Sequence, residues 1–119
     1  MNNKKKGTEF EVRMCRFLKH HGWWVHFIEP KRNGAQPFDI IAVKDGRAMA
    51  IDCKTCKKNT FSIRRLEDNQ KMAFDRWIAC GNSMPIVAVE HDDEIYMIPY
   101  ETLVTEEAVS FDRIDELRV

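Results

Sequence analysis

Residues 38–54 read FDIIAVKDGRAMAIDCK, two apolar runs that meet at Lys44-Asp45-Gly46. Asp-Gly between apolar runs is a strong hairpin signal. It predicts antiparallel strands at about Phe38–Val43 and Arg47–Lys54. Three charged residues break the pattern: Asp39 in the first strand, and Asp52 and Lys54 in the second. Asp52 and Lys54 are two positions apart, so both project from one face of one strand. A carboxylate on a central strand is costly to bury unless it is paired or binds a cation. An ordinary salt bridge between Lys54 and either Asp is the plain alternative.

The remaining chain builds outward from that hairpin. A helix is expected over about Thr8–His20, with Thr8 as N-cap, Glu11 as a capping-box partner and Gly22 as the stop. On a helical wheel Phe10, Met14, Phe17 and Leu18 gather on one side, with Cys15 at its margin. Glu11 falls inside that apolar arc, whereas Glu9 lies opposite with Arg13, Arg16 and His20. Glu11 therefore either reaches back to cap the helix or points toward the sheet. WWVHFI at Trp23–Ile28 reads as a strand, residues 29–37 as a loop, and Lys57–Arg65 as a basic polar segment. A second helix is expected over about Leu66–Cys80, ended by Gly81. Its apolar stripe is Leu66, Ala73, Phe74 and Trp77. Gln70 lies inside that stripe, bonded to backbone or aimed into a polar pocket. Strands follow at about Pro85–Val89 and Glu94–Ile98 around a His91-Asp92-Asp93 turn, then a short helical stretch near Tyr100–Ala108. The order α-β-β-β-α-β-β defines an α/β fold, a mixed β-sheet flanked by helices.

The chain has 119 residues, which suits one domain spanning 1–119, with residues 1–6 as a mobile basic tail. No apolar run approaches the ~18 residues of a membrane span. The basic start lacks the apolar stretch of a secretory signal, so the expected location is cytoplasmic, nucleoid-associated or phage-encoded. Cys53 and Cys56 form a C-x-x-C, but no second ligand pair follows at zinc spacing and His91 stands apart from other ligand types. The four cysteines are read as reduced thiols. Net charge is zero, yet residues 1–71 carry +8 and residues 72–119 carry −8. One surface is then basic, and a basic surface attracts polyanions such as nucleic acid.

Carboxylates beside one ammonium suit Mg²⁺-dependent hydrolysis of a phosphodiester, because Mg²⁺ takes hard oxygen ligands and polarises phosphate. No Gly-rich phosphate loop, Ser-His-Asp set or H-E-x-x-H motif competes. The spacing Asp39-(x12)-Asp52-Cys53-Lys54 resembles the PD-(D/E)XK nuclease signature. Within that superfamily the chain is similar to Holliday-junction resolvases of the archaeal Hjc type and the bacterial RecU type. KKKGTEFEVRMCRFLKHHGWWV resembles the archaeal opening, in which a Lys-Gly pair precedes a helical Glu by four residues, here Glu11. FDIIAVKDGRAMAIDCKTCKKNTFSIRRLEDNQ is similar to RecU, including a helical Gln, here Gln70. Phe38 replaces the Pro of the PD pair, and the short 29–37 loop leaves no room for a protrusion like that of RecU.

The resemblance implies a restriction-endonuclease-like core with Glu11, Asp39, Asp52, Lys54 and Gln70 as catalytic residues. Asp39 and Asp52 would ligate Mg²⁺, with Mn²⁺ expected to substitute, and the Cys53 main-chain carbonyl would add a ligand. Glu11 would complete the site or hold a second ion. Lys54 would position the attacking water, and Gln70 would brace the site or contact the scissile phosphate. Lys4, Lys5, Lys6, Arg13, Lys31, Arg32, Lys57, Lys58, Arg64 and Arg65 are candidate phosphate contacts. The implied partner is branched DNA, cut by a homodimer, with no membrane involved. Trp23, Trp24 and Trp77 serve a dimer face or the core. Three alternatives stand beside this reading: another DNA nuclease of the same fold, a non-catalytic DNA-binding module, and a protein adaptor whose charges form salt bridges.

Overall fold

The computed structural model describes residues 3–30 and 36–119, with side chains from Lys5 onward. Helix α1 spans Asn3–His20, followed by strands β1 (Trp24–Phe27), β2 (Ile40–Lys44) and β3 (Arg47–Thr55). A short strand β4 (Thr60–Ser62) and a 3-10 turn (Ile63–Arg65) lead into helix α2 (Asp68–Ala79). Strands β5 (Ile86–His91) and β6 (Glu94–Pro99), helix α3 (Tyr100–Glu106), strand β7 (Ala108–Ser110) and two more 3-10 turns complete the chain. None of the described helices is long and apolar enough to cross a membrane.

Five strands form one mixed sheet in the order β1-β2-β3-β5-β6. All neighbours are antiparallel except β3 and β5. A parallel pair needs a crossover, and α2 supplies it. The β2–β3 turn is tight: Asp45 and Gly46 take φ of 51° and 76°, the double left-handed geometry that Asp-Gly favours in hairpins.

Strand alternation sorts the core onto two faces. Phe10, Met14 and Leu18 of α1 pack on Ile40, Ala42, Ile51 and Ala88. On the other face Phe74 of α2 joins Phe38, Ala50, Val87, Val89 and Ile98. Each fully buried Val, Leu, Ile, Phe or Met among them contributes about 1.5–3 kcal/mol. The wheel assigned these helix faces correctly, with Glu9, Arg13, Arg16 and His20 of α1 all exposed. Trp23 and Trp77 are partly buried against the two clusters, whereas Trp24 is 63% exposed and stacks on His26.

Several expectations need correcting. Residues 3–6 are not a tail: α1 begins at Asn3, because lysines are good helix formers and the helix continues through Gly7. Thr8 is therefore a mid-helix residue rather than an N-cap, which removes the capping-box reading of Glu11. His91 closes β5 instead of opening the turn, which is Asp92-Asp93. Its Nδ1 lies 2.9 Å from the Cys56 carbonyl oxygen, and its ring stacks on Phe111. The segment read as basic and polar holds β4, which pairs with β7 and so fastens the C-terminal region to the chain leaving β3. The expectation of no protrusion at 29–37 concerns residues of which 31–35 lie outside the described ones.

Candidate functional site

The hairpin brings its charged residues together because β2 begins where β3 ends. Asp39 immediately precedes β2. Its N–H donates to the Ile51 carbonyl at 3.0 Å and its carbonyl accepts from Ile28 N–H at 2.8 Å. The carboxylate then reaches across to β3, where Oδ2 accepts from the Cys53 N–H at 2.7 Å. Asp52, on the central strand, is 0% exposed. Its Oδ1 accepts from Gln70 Nε2 at 2.8 Å, and its Oδ2 lies 3.3 Å from Lys54 Nζ. Lys54 Nζ also donates to Gln70 Oε1 at 3.3 Å.

Gln70 resolves the choice left by its place in the apolar stripe, because it does both things. Its Oε1 accepts from the Glu67 N–H at 3.0 Å, as one half of a capping box at the start of α2. Its Nε2 points into the polar site. The Glu67-x-x-Gln70 spacing is that of a capping box, but Glu stands where the pattern has Ser or Thr, so the sequence carries only a weak signal of it.

Burial drives the Asp52 carboxyl well above its ordinary range. The neighbouring Asp39 carboxylate pushes it further, and Lys54 opposes them. Asp52 Oδ2 is a buried oxygen with no aligned hydrogen-bond donor among the described residues; the Lys54 contact is one of charge. A buried, unbonded oxygen beside a second carboxylate fits a cation, which would satisfy the oxygen and cancel the repulsion. Oxygen-only donors suit Mg²⁺, which uses one or two carboxylates and fills its other positions with water and phosphate. The Cys53 carbonyl is placed to join them. Within a strand, N–H and C=O of one residue share an edge, and the Cys53 N–H edge faces Asp39.

Glu11 corrects the expected convergence. Among the described residues, no three His, Cys, Asp or Glu side chains group closely enough to hold a metal ion together. The reason is the two-sidedness of β3. Asp52 and Lys54 project toward α2, while Glu11 approaches from α1, on the face of Ile51 and Cys53. Glu11 is thus not a third member of a preformed cage. Its carboxyl is pushed up to about 7, first by burial and then by Asp39, with Lys54 opposing. It senses Asp39 and Lys54 from the α1 face.

The basic residues divide into two kinds. Lys5, Lys57, Lys58 and Arg64 are exposed and Lys6 is partly buried. Arg13 is ion-paired with Glu90. Arg65 donates to the Thr55 carbonyl at 2.9 Å and lies over the Phe61 ring. These last two guanidiniums are engaged by the fold. The Lys4 side chain, Lys31 and Arg32 lie outside the described residues.

The two cysteines of the C-x-x-C lie on different faces of the sheet. Cys53 belongs to the α1-side core and Cys56 to the α2-side core, and all four cysteines are free. Burial raises the Cys53 thiol well above its usual range, helped by Asp39 and Asp52.

A family model for archaeal Holliday junction resolvases (Hjc) matches residues 2–117. A crossover junction endodeoxyribonuclease Hjc from Methanocaldococcus jannaschii is 30% identical over 94 residues, covering 79% of this chain and 65% of that protein. The chain therefore spans slightly less than two thirds of that relative's length. Among solved structures, the Hjc Holliday junction resolvase of Archaeoglobus fulgidus superposes with a TM-score of 0.69 at 18% identity, covering 93% of this chain and 91% of that one. A bacterial homing endonuclease, I-Ssp6803I, superposes with a TM-score of 0.63 at 15% identity, covering 99% and 89%. Both share the restriction-endonuclease-like fold, a mixed sheet flanked by helices.

Proposed function

The chain belongs to the archaeal Holliday junction resolvase (Hjc) family, whose members are structure-selective DNA endonucleases, and we propose that it nicks four-way DNA junctions as a homodimer. Nucleases of this type are metal-dependent; for this chain the all-oxygen donor set favours Mg²⁺, with Mn²⁺ as a substitute. The observation that carries the reading is the buried Asp52 Oδ2, unbonded beside Asp39 and flanked by Lys54.

Asp39, Asp52 and the Cys53 carbonyl hold the ion. Once bound, it supplies Lewis acidity toward a phosphate oxygen and acidifies water at neutral pH. Gln70 ties down Asp52 Oδ1, and Oδ2 would be the oxygen left for the ion. Gln70 also holds the Lys54 ammonium beside the carboxylates. From there Lys54 orients the attacking water and offsets the charge that builds on the phosphate. Glu11, from the α1 face, adjusts the charge of the pair. Lys57, Lys58 and Arg64 follow β3 in the chain and contact backbone phosphates, which fixes the duplex arm without reading sequence. A four-way junction has two-fold symmetry, and paired nicks need two active sites related by the same symmetry. Acting on DNA, the protein works in the cytoplasm.

The test is cleavage of labelled four-way, flap and linear duplex DNA with Mg²⁺, with Mn²⁺ and with chelator. The expected result is paired nicks in the four-way substrate, dependent on metal. Equal cutting of linear duplex overturns the junction assignment, and cleavage in chelator overturns the metal assignment.

A further inference from the structure

Helix α2 meets the site through two consecutive residues, one holding β3 and the other the segment that leads into β2. Gln70 grips Asp52 on β3. Asn69, one residue earlier, donates from Nδ2 to the Gln36 carbonyl at 3.1 Å. Gln36 stands three residues before Asp39. Between them Phe38, which is buried, stacks on Phe74 at 5.8 Å and meets Trp77 edge-on at 5.7 Å. Both of those rings belong to α2. The segment that delivers Asp39 is therefore fastened to the same helix that fastens Asp52.

That arrangement has an electrostatic purpose. Two carboxylates in a buried site repel each other until a cation arrives. Asp39 itself is held by its backbone bonds to Ile51 and Ile28 and by its side-chain bond to Cys53, and the approach to it, Gln36 to Phe38, is held by α2. Separation held in advance lowers the cost of ion binding.

We propose that Asn69 is a positioning residue, which with Gln70 makes the first turn of α2 a two-point bracket setting the spacing of Asp39 and Asp52 for a divalent ion. This rests on the metal-binding reading above. Asn69 touches neither the phosphate nor the ion, and it acts through the backbone of Gln36.

The experiment is a Mn²⁺ titration of the DNA-free protein, read as the rise of the thermal midpoint with ion concentration, alongside a Mn²⁺ titration of cleavage. Two variants are compared with the native chain. Asn69→Ala removes the donor. Asn69→Asp removes it at constant shape while placing an acid in the first turn of α2, which favours the helix. Loss of this partly buried hydrogen bond predicts a rise of up to about tenfold in the Mn²⁺ requirement of Asn69→Ala in both titrations. The cleavage rate at saturating Mn²⁺ should stay within about threefold of native, because the reacting groups are unchanged. Asn69→Asp should keep or raise the ion-free midpoint and still need more Mn²⁺, against the pull of its added charge. If either variant takes up Mn²⁺ as readily as the native chain, the bracket does not exist, even if its midpoint has fallen. If the native midpoint does not respond to Mn²⁺ at all, the metal reading itself fails, and that failure is seen without either variant.

Discussion

On the α2 side of β3, Asp52, Lys54 and Gln70 are joined by contacts of 2.8 to 3.3 Å, and Asp52 is fully buried. On the α1 side, Cys15 and Cys53 sit at the margin of the Phe10 and Met14 cluster, and Glu11 interacts with both through charge and likewise reaches Asp39 and Lys54. One strand thus presents a hydrogen-bonded, preorganised half-site and a looser half-site that is only half-buried. Asp39, just before β2, belongs to both. The difference teaches where each kind of mutation should act. Changes on the α2 side should remove the chemistry, and changes on the α1 side should modulate it.

The sharpest way to break that division is Asp52→Asn. The amide fills the same space but cannot hold the ion as a charged ligand, so cleavage should fall by about 10³-fold or more. Binding of a four-way junction in chelator should stay within about twofold, because phosphate contacts supply it. The ion-free protein should also gain stability, since Asp52 is pushed up by burial and by Asp39 and the amide relieves both. Gel-shift, cleavage and thermal unfolding on one preparation measure all three, and near-native turnover would sink the assignment.

Glu11→Gln should have the second-largest effect, lowering cleavage by about 10–100-fold, as expected of a group that acts around the ligands. Glu9→Gln should stay within about twofold, because Glu9 points to solvent on the opposite arc of α1. Equal losses from the two would mean that α1 acts through its overall charge. A Glu11 loss as deep as that of Asp52→Asn would erase the contrast between the two half-sites.

Much of this was legible in the residues. Asp-Gly announced the hairpin, and period-2 alternation then put Asp52 and Lys54 on one face. The wheel aimed Glu11 at the sheet and sent Glu9 to solvent. What could not be read was which side of the sheet each helix covers. That depends on the crossover between β3 and β5, and it made three acids that converge in the sequence argument stand on two faces in the fold. Asn69 carried no signal, because its partner is a backbone carbonyl 33 residues away. The pairing of β4 with β7 was hidden for a similar reason, since three-residue strands are too short to show alternation. The Arg13–Glu90 pair joins residues 77 apart, so nothing in the sequence signalled that this guanidinium has a carboxylate partner.

The α1 half-site should also reveal itself in stability. Glu11 has a folded-state value raised to about 7 from 4.5, so between those values the folded protein binds more protons than the unfolded chain. Stability from this group is fully present below about pH 4.5 and is lost as pH rises through 7. The ion-free native protein should therefore unfold more easily at pH 8 than at pH 6. Glu11→Gln should flatten that slope, leaving the part that belongs to Asp52, which has the same sign. An unchanged slope in the variant would place the titration elsewhere. Saturating Mg²⁺ should flatten the slope in the native protein, because a bound cation favours the charged carboxylates.

The smallest effect separates the two sides by salt dependence. Lys58 is exposed beyond the end of β3, whereas Arg13 of α1 is held by Glu90. Each phosphate contact that is removed should reduce the slope of log affinity against log salt by about 0.9. Lys58→Ala should show that loss. Arg13→Ala should leave the slope within experimental error, since its charge is already matched by Glu90 in the free protein. Titrating junction binding from about 50 to 200 mM salt in chelator gives slopes precise enough to tell these apart. If Arg13→Ala lowers the slope as much as Lys58→Ala, the Glu90 pair opens on binding, and the α1 face contacts DNA as directly as the chain that follows β3.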